Sequence, residues 1–540
     1  MSPAKHRGAD ALARALRAAG VRRVFTLSGN HIMPVFDAAL DAGLELVHVR
    51  HEAAAVHMAD AWARLTGEAG IAMVTGGPGH ANAVGALYTA AMAESPVVLL
   101  SGHAPLAQLG RGAFQEMRQA EVAVPLTKAS WTAQRADGVT HDVMQAIGIA
   151  RGGRAGPVHV SLPQDVLEGA VPVTPAQAGA QFNKAGAASS FDAAPFLERL
   201  QRAKRPLILC GPSCMTREGR ARMHALEQAS GVPVVGMESP RGIADPALGA
   251  FAQALAQADV VLLLGKRLDF TLKFGAPPAF DAACEFLPVD PEAAEIERTS
   301  RAVGGRIAAS AVAETRVALD ALTARARAPG SAWRGEVRDA IRFRPAAWDG
   351  AHASAPGRLH PVEALRPLQQ LLDANPESIL VCDGGEFGQW AQACLDAPSR
   401  VINGVAGSIG AGLPFAVAAR LAHPGAPVIA AMGDGTFGFH CAEIDTAVRY
   451  DAPFVGLVGN DARWNAEYQI QLRDYGPDRL VGCELLPARY DQVAQAFGGH
   501  GELVTDAASL LPAARRALQS ARPAVLNVMI EGLAAPNVRR

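Results

Sequence analysis

The stretch MGDGTFGFHCAEIDTAVRYDAPFVGLVGND, Met432–Asp461, decides how this chain is read. The apolar run PVIAAM stops at Gly433-Asp434-Gly435, and a second run, FVGLV, stops at Gly459-Asn460. Between them, residues 441–450 have the length of a crossover helix, so the two runs read as parallel strands of one sheet. Ligands of such sheets gather beyond the carboxyl ends of the strands. Asp434 and Asn460, 26 positions apart, would then meet at one sheet edge. A carboxylate with an amide oxygen suits a hard divalent cation such as Mg2+. Gly433 and Gly435 leave backbone N–H groups open to a phosphate at a helix start. By itself, a Gly-Asp-Gly turn reads equally as a helix cap.

The same grammar repeats outward along the chain. VRRVFTLSG, GIAMVTGGPG, SPVVLLSG and AGPVHVSLP alternate with Ala-rich helical stretches in the first block. RPLILCGPS, GVPVVG, ADVVLLLG and CEFLPVD do so in a second, and SILVCDGG, APVIAAMGDG, APFVGLVGND and RPAVLNVMI in a third. This pattern predicts an α/β protein of three tandem doubly wound parallel-sheet domains, over residues 1–172, 191–325 and 358–535. Two aperiodic regions read as linkers: Val173–Ser190, and a second weak stretch made of ARARAPGSAWRGEV (324–337) and then GAHASAPGRLHP (350–361). With 540 residues, the chain has room for several cores.

A formal net charge of -2 offers no electrostatic footprint for nucleic acid or an anionic membrane. No apolar run is long enough to span a bilayer. Seven cysteines without a CxxC pair, and an N-terminus charged throughout, predict a reduced cytoplasmic protein acting on small molecules.

The Met432–Asp461 segment resembles the cofactor motif of thiamine diphosphate enzymes, which opens on Gly-Asp-Gly and closes on Asn. The resemblance implies thiamine diphosphate and Mg2+, with the ion held by Asp434, Asn460 and the backbone carbonyl of Ala462. The usual Asn-Asn ending is Gly459-Asn460 here. Other segments match in order. RHE followed by an Ala-rich helix resembles the cofactor-activating glutamate and implies that role for Glu52. VTGGPGHANAV places Pro78 and Asn82 beside the pyrimidine. GRGAFQE resembles the FQE loop of acetolactate synthase-type members and puts Phe114 and Gln115 near the reacting carbon. DGGEF implies diphosphate contacts from Gly385, Glu386 and Phe387, joined by Gly433, Gly435 and Thr436, and GSIGAGLP puts Ile409 behind the thiazolium. Because Glu52 and Asp434 sit on different domains, the family's solution is an active site across a subunit interface, in a homodimer or homotetramer.

The reaction is less sharply written. SGNHIMP places His31 after the first strand, where benzaldehyde lyase-like members carry a histidine and acetolactate synthases a small residue. His31 and Gln115 would then move protons at the substrate oxygen. DARWNAEYQIQLRDYGPDRLVG reads as a lid closer to benzaldehyde lyase, with Trp464 and Tyr468 as packing residues. In the central domain, GKRLDFTLKFG occupies the place of FAD in acetolactate synthases and of ADP in oxalyl-CoA decarboxylases, and Lys266 and Arg267 read equally as a solvated turn. The expectation is a C–C bond-forming or -cleaving enzyme acting on 2-oxo acids or 2-hydroxy carbonyl compounds. The alternatives are a 2-hydroxyacyl-CoA lyase or oxalyl-CoA decarboxylase-type enzyme, and a non-catalytic relative, against which the intact Glu52 weighs.

Overall fold

The structure, a computed structural model, describes residues 6–171, 190–327 and 331–540. Most of the first expected linker, Val173–Ser190, therefore lies outside the described residues.

Short apolar runs bounded by Gly, Pro and Ser form 17 strands in three parallel sheets. The first sheet contains β1 (Arg23–Thr26), β2 (Glu45–His48), β3 (Gly70–Val74), β4 (Val97–His103), β5 (Ser130–Thr132) and β6 (Val158–Pro163), in the order β2-β1-β3-β4-β6-β5. The second contains β7 (Pro206–Cys210), β8 (Val234–Gly236), β9 (Val260–Leu264), β10 (Glu285–Asp290) and β11 (Ala311–Val312), in the order β11-β10-β9-β7-β8. The third contains β12 (Ile379–Cys382), β13 (Ser399–Ile402), β14 (Val428–Gly433), β15 (Val455–Asn460), β16 (His500–Val504) and β17 (Ala524–Met529), in the order β13-β12-β14-β15-β17-β16. Central strands such as β3, β4, β7 and β9 are buried along their whole length, as strands covered by helices on both faces must be.

Each sheet has a switch point where the chain, having laid one strand on one side of its first strand, crosses to build on the other side, and there the loops leaving neighbouring strands diverge and open a crevice. These reversals fall between β1 and β3, between β7 and β9, and between β12 and β14.

The described residues fall into two compact units. The first spans Met1–Ala185 together with Val417–Ala422 and Ala442–Ala452. It carries the first sheet, and the added Ala442–Ala452 segment covers the outer edge of β2. Tyr450 Oη accepts the N–H of His48 at 2.7 Å and donates to the carbonyl of Leu46 at 2.7 Å. An exposed strand edge is a template for misassociation, and this one is occupied by the chain itself. The second unit, Gly186–Ala416, His423–Cys441 and Pro453–Arg540, carries the other two sheets.

The second expected linker is a helix in part. Ala332–Arg342 is capped by Ser331, whose hydroxyl accepts the N–H of Arg334. The helix buries Trp333, whose Nε1 donates to the carbonyl of Pro206 at 2.9 Å.

Candidate active site

At the β1/β3 reversal of the first unit, His31 lies just beyond β1 and Thr75 just beyond β3, and His31 Nδ1 is 3.2 Å from Thr75 Oγ1. The imidazole is 2% exposed and stacks on Phe114 with ring centroids 6.0 Å apart, so it is neither a surface residue nor a cap. Burial pushes its pKa below the ordinary histidine value, which keeps it neutral and able to serve both as donor and as acceptor.

The turn after β3 brings in the rest. Gly77 adopts φ 58°, a conformation open to glycine, and a Cβ there would lie 2.8 Å from both Cβ and the carbonyl oxygen of Gln115. Gln115 itself is held at φ 57°, an uncommon conformation for a side-chain-bearing residue. Gln119 binds this corner together: its Oε1 accepts the N–H of Gly77 at 3.2 Å, and its Nε2 donates to Gly102 O at 2.8 Å and Ser161 Oγ at 3.0 Å. Pro78 starts the helix Pro78–Met92, on whose second turn Asn82 sits. Asn82 Nδ2 donates to Glu52 Oε2 at 3.0 Å, and Glu52 opens the helix Glu52–Thr66 with 9% exposure. The structure thus gathers His31, Gln115, Pro78, Asn82 and Glu52 at one end of the first sheet. His80, His103 and His57 are also buried, and His80 Nδ1 is 2.8 Å from Ser101 Oγ.

In the second unit, the β12/β14 reversal places Gly384-Gly385 beside Gly433-Asp434. Asp383, at the end of β12, accepts the N–H groups of Gly384, Gly410 and Gly412 at 2.7 to 3.1 Å. It thereby fastens the loop that carries Ile409 against Gly384. Burial pushes this carboxyl up to about 6. Beside it the backbone is open: a Cβ on Gly433 would meet nothing nearer than Thr436 Oγ1 at 4.0 Å, and one on Gly385 nothing nearer than Thr436 Cγ2 at 3.9 Å. Thr436 Oγ1 is turned back, donating to the carbonyl of Gly433 at 3.0 Å. Glu386 Oε2 accepts the N–H of Ala535 at 2.8 Å, tying the C-terminal residues to this corner.

Three of the residues expected to make contacts are also engaged by the fold. Asn460 is the last residue of β15, and its Nδ2 donates to Ala488 O and Asn527 Oδ1, both at 3.0 Å. Its Oδ1 accepts the N–H of Ala462 at 3.2 Å, so both ends of the amide are engaged by the fold. The carbonyl of Ala462 accepts the N–H of Leu485 at 2.7 Å. Side chains alternate along a strand, so the residue after Asn460 returns to the other face, and that residue is Asp461. Its carboxyl adjoins that of Asp434; both are buried, and Asp434 Oδ2 and Asp461 Oδ1 have no hydrogen-bond partner among the described residues. Burial pushes both groups upward in pKa, and the charge of Asp434 adds to the effect on Asp461. Two neighbouring carboxylates with orphaned oxygens fit a hard divalent cation better than the expected amide does. The Phe387 side chain is 4% exposed and packs under Gly459 within the core of the third sheet, so the ring supports β15, while its N–H belongs to the first turn of the helix Gly385–Cys394.

The Gly435 α-carbon is covered by the Trp464 ring. Trp464 precedes the helix Asn465–Tyr475, which Asn465 and Gln469 fasten to the carbonyls of Leu533 and Gly532 at 3.0 and 3.1 Å. At the reversal of the second sheet, a Cβ on Gly211 would fall on the carbonyl of Gly265. Lys266 is 4% exposed and donates to Thr271 Oγ1 at 2.7 Å, and Arg267 lies 3.4 Å from Glu295. These two cations are engaged by the fold and do not form a solvated turn.

Sequence comparison now places the chain among known proteins. Residues 6–122 match the family "Thiamine pyrophosphate enzyme, N-terminal TPP binding domain", residues 193–322 its central domain, and residues 383–528 its C-terminal TPP binding domain. A probable acetolactate synthase of Mycobacterium bovis is 32% identical, the match covering 96% of this chain and 95% of that protein. The 2-hydroxyacyl-CoA lyase 2 of Homo sapiens is also 32% identical, over 97% of this chain and 90% of that protein. Among solved structures, a thiamine diphosphate-dependent 4-hydroxybenzoylformate decarboxylase of Rhodococcus jostii shares the fold, with a TM-score of 0.81 at 22% identity, covering 98% of this chain and 100% of that one. The chain belongs to the thiamine pyrophosphate enzymes. Within them it falls in the acetolactate synthase-like group, whose members depend on thiamine diphosphate.

Proposed function

We propose that this protein uses thiamine diphosphate and Mg2+ to make or break a C–C bond beside a carbonyl, acting on 2-oxo acids or 2-hydroxy carbonyl compounds. The observation that carries the metal assignment is the pair of orphaned, buried oxygens on Asp434 and Asp461. The open backbone at Gly385 and Gly433 supports a diphosphate beside that pair. When bound, the cofactor supplies a nucleophilic carbon and an electron sink. The remaining work falls to side chains. Glu52, oriented by Asn82, holds a proton at the pyrimidine nitrogen. His31, neutral and enclosed, exchanges a proton with the substrate oxygen, with Gln115 as a hydrogen-bond partner. Ile409, fixed by Asp383, supplies an apolar surface behind the thiazolium. The family resemblance, not a contact seen in the structure, supports a homodimer or homotetramer as the working form. The buried thiols Cys210, Cys214, Cys284, Cys382 and Cys483 suit a reducing compartment, the cytoplasm. No helix among the described residues is long and apolar enough to cross a membrane.

Titrating thiamine diphosphate calorimetrically into metal-stripped protein, with and without Mg2+, tests this reading. Tight binding that needs Mg2+ is expected, and no binding in either case would reject it. Two reactions follow from the named relatives. Acetolactate formed from pyruvate would favour the synthase, and an aldehyde released from a 2-hydroxyacyl-CoA would favour the lyase. The enclosure of His31 favours the lyase, for which His31→Ala should lower turnover most.

A further inference from the structure

Glu443 opens the helix Glu443–Arg449, nine positions after Asp434, and belongs to the compact unit of the first sheet. It is 1% exposed. Its Oε1 accepts the backbone N–H groups of Arg50 at 3.0 Å and His51 at 3.2 Å, and its Oε2 accepts the Thr446 hydroxyl at 2.6 Å. Arg50 and His51 are the two residues that lead into Glu52. Their N–H groups precede the helix Glu52–Thr66, where the helix itself offers no acceptor, and a carboxylate at that end also meets the positive end of the helix dipole. The neighbours of Glu443 hold the same few residues. Arg449 donates to the carbonyl of His48 at 2.6 Å, and the Arg50 guanidinium lies 3.6 Å from Asp445. His51 caps the helix by accepting the N–H of Ala53 at 3.1 Å. The backbone entering Glu52 is thus fixed by side chains of the crossover that follows Asp434.

A merely space-filling role would be served by an apolar residue. Glu443 instead spends a buried carboxylate on three donors, two of them the amides next to Glu52. We propose that Glu443 is a positioning residue that sets the approach of the Glu52 carboxyl to the cofactor's pyrimidine. The proposal rests on the role given above to Glu52.

The test measures two quantities on full-length protein loaded with thiamine diphosphate and Mg2+: cofactor affinity by calorimetry, and proton–deuterium exchange at the cofactor's C2 by NMR. Glu443→Ala should bind cofactor within about threefold of wild type yet slow exchange by about tenfold to a hundredfold, the scale of an ångström-sized misplacement. Glu443→Gln keeps an acceptor for both amides and should restore exchange to within about threefold of wild type. Exchange at the wild-type rate in Glu443→Ala would overturn the proposal, whatever that variant's thermal stability. Should Glu443→Ala not fold, Thr446→Val frees the Oε2 lobe, and a slowed exchange is expected there; an unchanged rate would overturn the proposal. Glu52→Gln separates the two readings. If it exchanges as fast as wild type, the role of Glu52 fails; if it alone is slow, the role of Glu443 fails.

Discussion

Asp434 and Asp461 are two acids that adjoin in a buried place, and an oxygen on each lacks a hydrogen-bond partner among the described residues. Asp461→Ala should abolish Mg2+-dependent cofactor binding, whereas Asp461→Asn keeps one ligating oxygen and should weaken binding without abolishing it, both read by calorimetry. Asn460→Ala, in contrast, should leave Mg2+ dependence intact and cost about 1–3 kcal/mol in denaturant unfolding, because it removes the donor to the buried Asn527 Oδ1, while Ala488 O keeps its bond from Asn527 Nδ2. The motif was legible at the level of the turn, and the proposed reading of its end moves the second ligand by one residue, from Asn460 to Asp461. Asn460 and Asp461 are both polar and adjacent, and which one faces the ligand depends on where strand alternation stops. A second residue-level consequence concerns His80, fully buried with a pKa pushed down to about 4, first by burial. Below pH 6.5 the unfolded chain takes a proton that folded His80 refuses until about pH 4. Relative to a non-titrating His80→Gln variant, wild type should therefore lose about 1.4 kcal/mol per pH unit from pH 6.5 to 4, and nothing above pH 6.5. A constant difference between the two proteins over that range, measured by denaturant titration, would contradict it.

The helix Ala332–Arg342 shows the limit of reading elements from composition. Its apolar face rests on Trp333, Val337 and Ala340, three positions at helical spacing within a stretch otherwise rich in Arg and Gly. Trp333→Ala should lower unfolding free energy by about 3–5 kcal/mol, through lost packing and the orphaned Pro206 carbonyl. Trp333→Phe should lose less; equal losses in denaturant midpoints would show that the hydrogen bond governs. The central strands, by contrast, were legible, because parallel strands buried on both faces are written as unbroken apolar runs ending in glycine, whereas the edge strands β5, β11, β13 and β16 carry no such run and were not expected. The three sheets and their loops could therefore be placed from sequence. What could not be placed was the use each loop makes of its polar residues: Asp383 pinning three amides, Trp464 covering Gly435, and Glu443 reaching the residues before Glu52. Each is a long-range contact with no local periodicity to announce it.

For the whole molecule, the proposed metal reading of the carboxylate pair predicts that folding is sensitive to cations. An ion that binds the folded state alone stabilises it by mass action, about 2.7 kcal/mol at a hundredfold excess over its dissociation constant. Thermal unfolding of the metal-stripped protein should therefore shift upward with added Mg2+ and thiamine diphosphate, and a chelator should reverse the shift. A transition indifferent to both would separate the pair from any cation. The covered edge of β2 has a wider consequence, for how this chain can be cut or recombined. The segment that covers it, Ala442–Ala452, is encoded some 400 positions downstream of β2, beyond the entire second sheet. A fragment ending before the second sheet would carry every strand of the first sheet, yet it would expose the edge of β2 and release the backbone before Glu52. The first sheet is contiguous in sequence, but the folded unit around it is not, so gene fusions or domain swaps drawn at the linker would sever a partnership that no inspection of the first 170 residues discloses.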